Sequence, residues 1–121
     1  FGCVKLKVGV ATSDADEIAR VEAVRRAIGP ATRLRLDANG AWTAEHASAL
    51  LPALAEYDLE LVEQPVPADD LDGLRLVRQA GIVPIGADEG ACTPEQTRQV
   101  IAAGAADVIV VKPMLAGGRA I

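Results

Sequence analysis

The sequence predicts an α/β domain built around a parallel β-sheet. Short aliphatic runs alternate with longer amphipathic runs along the chain, as in consecutive βαβ units. The aliphatic runs are rich in Val, Ile and Leu, which is typical of strands covered on both faces. A charged residue closes each of five such runs, at intervals of 24 to 30 residues, or about one βα unit. These observations predict five strands joined by four helices.

The first unit has clear boundaries. Cys3–Val8 is the first predicted strand, and the helix after it begins at Ser13 or Asp14, which are both good N-cap residues. Gly29 ends this helix, since glycine readily adopts the conformation that terminates helices. Its apolar stripe consists of Ile18, Val21, Val24 and Ile28.

The second unit contains a proline within a helical pattern. Leu34–Asp37 is the predicted strand, and Thr43 caps the helix that follows. We expect Pro52 to kink or shorten this helix, because proline has no N–H to donate. Leu59–Glu63 is the third strand, and Pro65 follows and stops it. The apolar side of the second helix carries Ala47, Leu50, Leu51 and Leu54.

The last two helices are bounded by their capping residues. Asp69 or Asp70 opens the third helix, Gly81 ends it, and Ile82–Ala87 is the fourth strand. The run Thr93–Gln96 combines a cap, a proline at the first helical position and a capping-box glutamine. The fourth helix ends at Gly104 and the fifth strand is Asp107–Val111, with Gly117 and Gly118 opening the segment beyond.

Composition and charge exclude several classes of protein. With 121 residues, the chain has room for one domain at most. Twelve basic residues against 17 acidic ones give a net charge of −5, and only three residues are aromatic, so no nucleic-acid partner is expected. No apolar run approaches the roughly 20 residues of a membrane span, so no membrane partner is expected either.

The first residue of the chain suggests a longer protein, and the two cysteines suggest the cytoplasm as its compartment. The chain begins with Phe1 instead of methionine, so we expect it to begin inside a longer sequence. Cys3 and Cys92 lie far apart without a CxxC motif, which argues against disulfides and zinc and favours a reducing cytoplasm.

The five charged strand ends are the most informative feature of the sequence. Parallel α/β folds bind ligands beyond the carboxyl ends of their strands, so these side chains should converge. Three carboxylates on successive strands would lie about 5 Å apart and would repel one another. A hard divalent cation, Mg²⁺ or alternatively Mn²⁺, would remove that repulsion. In chain order, the five residues are Lys7, Asp37, Glu63, Asp88 and Lys112.

Two lysines share one face of the first strand. Lys5 and Lys7 lie opposite Val4 and Leu6, because side chains alternate along a strand. Near a cation and near each other their ammonium forms are disfavoured, which would make a usable general base. The alternative is a sheet edge protected by lysines.

The five charged strand ends lie in five short segments, which are KLK (Lys5–Lys7), LRLDANGAW (Leu34–Trp42), VEQP (Val62–Pro65), ADEG (Ala87–Gly90) and KPMLAGG (Lys112–Gly118). Together these segments resemble the enolase superfamily, and most closely its muconate-lactonizing subgroup. Members have an eight-unit (β/α)8 TIM-type barrel preceded by an α+β capping domain. The resemblance implies that residues 1–121 are an incomplete C-terminal barrel domain, corresponding to about strands two to six, with the capping domain absent.

The same resemblance implies a chemistry and a set of roles. Members remove a proton α to a carboxylate in a small-molecule substrate, and Mg²⁺ stabilises the enediolate. One departure is Gly90, where members often have serine. By resemblance, the magnesium ligands are Asp37, Glu63 and Asp88, the acid/base residues are Lys7 and Lys112, and the residues that tune the site are Lys5, Asn39 and Glu89.

KPMLAGG most resembles the o-succinylbenzoate synthases, which dehydrate a cyclohexadiene carboxylate in menaquinone biosynthesis. Dipeptide or N-acylamino acid epimerases and muconate cycloisomerases of the same subgroup are the alternatives. Homo-oligomerisation of the full-length protein stays open.

Two further classes compete with an enzyme. A doubly wound receiver domain also has five strands, acidic residues, Mg²⁺ and a Lys-Pro pair. It requires an acidic pair after its first strand, where this chain has Lys5 and Lys7. A non-catalytic module built on a decayed barrel is the other alternative, disfavoured because all five polar strand ends are intact.

Overall fold

The computed structural model describes residues 1–113, which form one parallel sheet with helices between its strands. The strand order is β1-β2-β3-β4-β5, and every neighbouring pair is parallel. In chain order the elements are β1 (Cys3–Lys7), α1 (Asp14–Ile28), β2 (Arg33–Asp37), α2 (Ala44–Ala55), β3 (Leu59–Glu63), α3 (Leu71–Gln79), β4 (Ile85–Ala87), a short 3₁₀ turn (Glu89–Ala91), α4 (Pro94–Ala103) and β5 (Val108–Ile109).

This strand order excludes the receiver alternative. A receiver-type sheet is doubly wound, with the order 2-1-3-4-5, so that the winding direction reverses within the sheet. Here each strand lies beside the next one in the chain, and the winding never reverses. Since parallel crossovers are almost always right-handed, one winding direction places all four helices on the same face. The other face becomes concave, as in a barrel wall.

The core lies between the sheet and this helix layer, and apart from Trp42 its buried side chains are aliphatic. On β2, Leu34 and Leu36 are fully buried, whereas Arg33 and Arg35 alternate with them and belong to the opposite face. The largest fully buried apolar side chains are Leu34, Leu36, Leu51, Leu54, Leu74, Ile85, Val8, Val21, Val62, Val66 and Val77.

The predicted caps are confirmed at all four helices. In each case the capping side chain accepts a hydrogen bond from a backbone N–H in the first turn of its helix. The α4 cap is a complete capping box, in which Thr93 and Gln96 bond to each other's backbone N–H groups. Gly104 then ends α4 in the left-handed conformation. The other three caps are Ser13, Thr43 and Asp70.

Pro52 does not shorten its helix. α2 continues for three residues beyond Pro52, to Ala55, although the Ser48 carbonyl loses its usual N–H partner. Leu54 lies in that last turn and is fully buried. The packing of this face therefore offsets the lost hydrogen bond.

The last two strands are shorter than predicted. β4 begins at Ile85 instead of Ile82, because Pro84 has no N–H for a sheet hydrogen bond. β5 covers only Val108–Ile109 instead of Asp107–Val111, since β4 offers it just three residues to pair with. The predicted opening at Gly117 and Gly118 lies outside the described residues.

A β-bulge, which was not predicted, interrupts the pairing of β2 with β3. Leu34 is paired with Leu59, but Arg35 is paired with Leu61, so Glu60 is an extra residue. The Glu60 carboxylate accepts hydrogen bonds from Arg33 and Arg35 on the concave face. The Arg35 bond is the main reason that the pKa of Glu60 lies below its usual value. The bulge thus supplies an acceptor for two arginines that have no partner on their own strand.

Candidate metal and acid/base site

Three buried carboxylates meet at the carboxyl edge of the sheet. Asp37 and Glu63 end β2 and β3 and are paired in register, and Asp88 directly follows β4. One oxygen from each carboxylate lies within 4.8 Å of one from each of the others. The exposed fractions of the three residues are 7%, 3% and 2%. The predicted convergence of these side chains is therefore confirmed.

Two lysines neutralise part of this buried charge. Lys5 Nζ lies 3.0 Å from Glu63 Oε2 and 3.6 Å from Asp37 Oδ2. Lys112 Nζ lies 2.6 Å from Asp88 Oδ2. Buried carboxylates need such partners, because an unpaired charge away from water is costly. Three carboxylates facing two ammonium groups still leave one negative charge unbalanced.

The protein's own charges favour the ammonium form of both lysines. Burial acts to lower the pKa of Lys5, but the hydrogen bond to Glu63 and the charges of Glu63, Asp37 and Asp88 outweigh it and raise the pKa. The hydrogen bond to Asp88 raises the pKa of Lys112 against a smaller effect of burial. The sequence predicted a disfavoured ammonium form for Lys5, whereas the carboxylates raise the pKa of Lys5; the effect of a cation on it stays a prediction.

Lys7 occupies a different position from the other two lysines. It ends β1 beside Asp37, and its side chain is exposed. Within residues 1–113 its ammonium forms no ion pair with a carboxylate, in contrast to Lys5 and Lys112. The structure therefore brings Lys5 and Lys112 into contact with the acidic cluster and leaves Lys7 at its rim.

Asn39 and Glu89 connect the loops that follow β2 and β4. The Asn39 backbone N–H donates to Asp37 Oδ1 at 3.1 Å, and its side-chain amide donates to Glu89 Oε1 at 2.6 Å. Asn39 adopts φ +47°, a left-handed conformation that asparagine tolerates better than most residues. Glu89 Oε2 is buried without a hydrogen-bond partner in the described part of the chain.

The arrangement fits a hard divalent cation. Its donors are carboxylate oxygens, which suit Mg²⁺ and Mn²⁺ and offer nothing to soft metals. The excess of carboxylates over ammonium groups at the cluster also favours a bound cation. The cluster therefore has the composition of a divalent metal site.

Sequence reasoning missed Glu17, which organises the loop after β1. This residue is 3% exposed, and its Oε2 accepts hydrogen bonds from the backbone N–H groups of Gly9, Val10 and Ala11. Arg20 bonds to Glu17 Oε1 and also donates to the Lys7 carbonyl at 3.1 Å. In the sequence Glu17 is an ordinary acidic residue of a first helical turn, and nothing nearby marks its burial.

It also missed Gln64, the residue after Glu63. Gln64 is 1% exposed and has φ +41°, an unusual conformation for glutamine. Its side chain accepts hydrogen bonds from the backbone N–H groups of Asp88 and Gly90. In the sequence, Gln64 lies between a predicted metal ligand and a proline, and a glutamine in such a loop is ordinarily expected to be solvated. This position was the only signal available.

A singly wound parallel sheet with an acidic cluster at its strand ends is the arrangement expected of a segment of a (β/α)-barrel. The family model described as enolase C-terminal domain-like matches residues 1–120, and the chain belongs to this family. The predicted resemblance and fold class are thereby confirmed. Within residues 1–113, no helix combines the length and apolar character needed to cross a membrane.

Similar proteins include enzymes with different reactions. The chain is 44% identical over 118 residues to a hydrophobic dipeptide epimerase of Enterococcus faecalis, covering 98% of this chain and 33% of that protein. It is 45% identical over 120 residues to an o-succinylbenzoate synthase of Thermobifida fusca, covering 97% of this chain and 37% of that protein. The chain spans about a third of the length of these relatives.

The solved structures agree with this assignment. The dipeptide epimerase of Enterococcus faecalis V583, complexed with Mg and the dipeptide L-Leu-L-Tyr, matches with a TM-score of 0.89 and 43% identity. The match covers 97% of this chain and 32% of that one. The five-stranded sheet is therefore part of an enolase-superfamily barrel.

Proposed function

We propose that the full-length protein is a Mg²⁺-dependent enzyme that removes a proton α to a carboxylate of a small-molecule substrate. Residues 1–121 would be an incomplete C-terminal barrel domain of that enzyme. The observation that carries the proposal is the buried triad of Asp37, Glu63 and Asp88, with lysines on both sides of it. The two free thiols suit the cytoplasm as its compartment.

The triad would hold the metal ion. Asp37, Glu63 and Asp88 would each supply a carboxylate oxygen to Mg²⁺, and Mn²⁺ would substitute for it. When bound, the ion stabilises the negative charge that develops on the substrate as its α-proton leaves. Asn39 and Glu89 would support the site, because they link the loop of the first ligand to that of the third.

The lysines would handle the proton. Lys7 is the proposed base, because its side chain is exposed at the rim and no carboxylate of the described chain holds its ammonium. Lys112 would act as an acid/base residue or as a cation facing the substrate, and Lys5 would tune the site through Glu63. Removing a proton from carbon requires such a positioned base.

For the particular reaction, we propose o-succinylbenzoate synthesis by dehydration. Lys7 takes the α-proton, the electron pair of that C–H bond forms the new C=C bond as the C–O bond breaks, and the hydroxyl leaves as water with the proton that Lys7 took. Support comes from the KPMLAGG run and from the synthase relative at 45% identity. Met114–Gly118 of that run lie outside the described residues.

Epimerisation of a dipeptide or an N-acylamino acid is the second candidate. It is favoured by the epimerase relative at 44% identity. An epimerase needs one lysine to remove the proton from one face and another to return a proton to the opposite face. Lys112 must therefore act as a base or acid in this reaction, whereas dehydration needs only its charge.

This difference gives the test. Both reactions are assayed with the full-length wild type, Lys7→Ala and Lys112→Arg. We expect Lys7→Ala to reduce the rate of dehydration by several orders of magnitude, because no equivalent base remains. Lys112→Arg should retain part of the dehydration and little epimerisation. If the wild type epimerises dipeptides efficiently and does not catalyse the dehydration, the proposed reaction is wrong and epimerisation takes its place.

The metal is tested separately with Glu63→Gln, which replaces one of three anionic ligands by a neutral one. Titration calorimetry should show Mg²⁺ affinity reduced at least tenfold, about 1.4 kcal/mol or more. Glu22→Gln, on the exposed face of α1, is the matched control and should bind as the wild type does. Equal affinities of wild type and Glu63→Gln would remove Glu63 from the ligand set.

A further inference from the structure

We propose that Gln64 is a positioning residue that fixes Asp88, and with it the geometry of the acidic triad. Gln64 does not itself belong to the triad, and it lies directly after Glu63 on the loop beyond β3. This inference deepens the metal site proposed above and rests on it.

The side chain of Gln64 ties its own loop to the loop after β4. Its Oε1 accepts hydrogen bonds from the N–H groups of Asp88 and Gly90, both at 3.0 Å. Its Nε2 donates to the Val66 carbonyl at 2.9 Å, which fixes the orientation of the amide. The backbone of the third carboxylate residue is thus attached to an amide group that is itself held in place.

The backbone of Gln64 extends the connection to the other two carboxylate loops. The Gly40 N–H donates to the Gln64 carbonyl at 2.7 Å, and Gly40 lies three residues after Asp37. The Gln64 N–H donates to the Gly86 carbonyl of β4 at 2.8 Å. Five hydrogen bonds at one residue therefore join the segments that carry all three carboxylates.

The conformation of Gln64 is unfavourable in itself. A φ of +41° places a glutamine in the left-handed region, where non-glycine residues are uncommon. Such conformations persist where the surroundings enforce them, and they cluster at functional sites. Here the five hydrogen bonds enforce it, and the result is an amide oxygen aimed at two N–H groups of the β4 loop.

Gly90 permits the close approach of this amide. A Cβ atom at position 90 would lie 3.3 Å from Gln64 Oε1 and 3.2 Å from the Ala68 carbonyl oxygen. Both distances are tighter than ordinary contacts, so a larger residue would push the amide away or shift the 3₁₀ turn. The departure from the serine frequent in the superfamily thus falls at the contact that positions Asp88.

Three substitutions at Gln64 separate positioning from filling of the core. Gln64→Asn keeps an amide and suits the left-handed backbone, but its side chain is one methylene too short to reach Asp88. Gln64→Met fills a similar volume without a hydrogen-bond acceptor of comparable strength. Gln64→Glu keeps the length of the side chain and the acceptor for the Asp88 and Gly90 N–H groups and gives up only the donor to Val66, so it is the conservative variant.

The experiment measures Mg²⁺ affinity by calorimetry and the Mn²⁺ electron paramagnetic resonance spectrum in the full-length protein, with thermal unfolding as a third measurement. We expect Gln64→Asn and Gln64→Met to weaken Mg²⁺ binding at least tenfold and to alter the Mn²⁺ spectrum. Gln64→Glu should stay within about threefold of wild type. The control is Asp107→Asn, at the opposite end of β4, which should lower the unfolding temperature without changing either metal measurement.

Each outcome has a distinct meaning. Wild-type Mg²⁺ affinity and an unchanged Mn²⁺ spectrum in folded Gln64→Asn or Gln64→Met would overturn the positioning role and leave the metal site intact. An equal loss of affinity in Asp107→Asn would also overturn it, because general loosening would then explain the effect. A wild type that binds no Mg²⁺ would overturn the metal site itself, and the role of Gln64 with it.

Discussion

At the scale of single residues, Asp107 shows how a side chain can replace a missing strand contact. Its carboxylate accepts a hydrogen bond from the Ile85 N–H at 2.8 Å, at the start of β4, and another from Arg78 Nε at 2.9 Å. Burial acts to raise the pKa of Asp107, but these hydrogen bonds and the charge of Arg78 outweigh it and lower the pKa. The ionised form is therefore the one that stabilises the fold.

This gives a pH-dependent prediction for Asp107→Asn. A carboxyl group whose pKa is lower in the folded state than in the unfolded state stabilises the folded protein at pH values above its unfolded-state pKa, which is near 3.9. This stabilisation is lost as the pH falls through the folded-state pKa. We expect Asp107→Asn to cost about 1 kcal/mol at pH 7 and at pH 5, and less at pH 3. Denaturant unfolding of the full-length protein at the three pH values measures this difference.

Asp72→Asn is the matched control, because the Asp72 side chain is 92% exposed and its ion pair with Arg75 is long, at 3.4 Å. It should change stability little at any of the three pH values. A cost of Asp107→Asn that is the same at pH 3 as at pH 7 would contradict the role of the ionised carboxylate.

At the scale of elements, a proline inside α2 destabilises the helix, and the packing of the helix offsets this effect. Pro52 is exposed in the third turn of the helix and leaves the Ser48 carbonyl without its i+4 N–H donor. Leu50, Leu51 and Leu54 are nevertheless buried on the opposite side and hold the helix against the sheet. The helix therefore survives a residue that local preference alone would place at its end.

We expect Pro52→Ala to stabilise the full-length protein by about 1–2 kcal/mol. Alanine restores the N–H donor and favours the helix, whereas proline's smaller freedom in the unfolded chain offsets part of the gain. Pro94→Ala is the control, because Pro94 is the first residue of α4, where no intrahelical N–H is needed. Thermal unfolding should show a higher midpoint for Pro52→Ala and no gain for Pro94→Ala; equal gains would contradict the explanation.

The elements also show what a sequence reveals and what it hides. The caps at Thr43 and Thr93 were predictable because they depend on residues three positions away. The hydrogen bond of Asp107 to the first residue of β4 was not, because the two residues lie 22 positions apart. The three carboxylates were predictable from their regular spacing, whereas Gln64 and Glu17 act on backbone groups of loops, which leave no pattern of side chains to recognise.

At the scale of the whole molecule, β1 and β5 form the two edges of the described sheet. Each edge presents unpaired N–H and C=O groups, which attract further strands. Val108 and Val111, in and beyond β5, are 42% and 68% exposed. In a complete barrel the remaining strands would cover both edges.

We therefore predict that the isolated 121-residue chain self-associates or forms a loosely packed state. Sedimentation velocity should show oligomers, or a hydrophobic dye should bind and the thermal transition should be broad. The full-length protein is the control and should show a sharp transition without dye binding. A monodisperse isolated chain that unfolds sharply would contradict the prediction and indicate a self-sufficient sheet.

The single winding direction also has a consequence for the order of folding. Each strand pairs with the next strand in the chain and each helix contacts the next helix, so the principal contacts join neighbouring units. Arg25 reinforces the first such junction, because its guanidinium donates to four backbone carbonyls, those of Gly29, Thr32, Tyr57 and Asp58. The paired residues lie 22 to 30 positions apart in the sequence, so no pairing needs a segment beyond the next unit. The segment can therefore assemble progressively during synthesis, each unit docking on its predecessor as it leaves the ribosome.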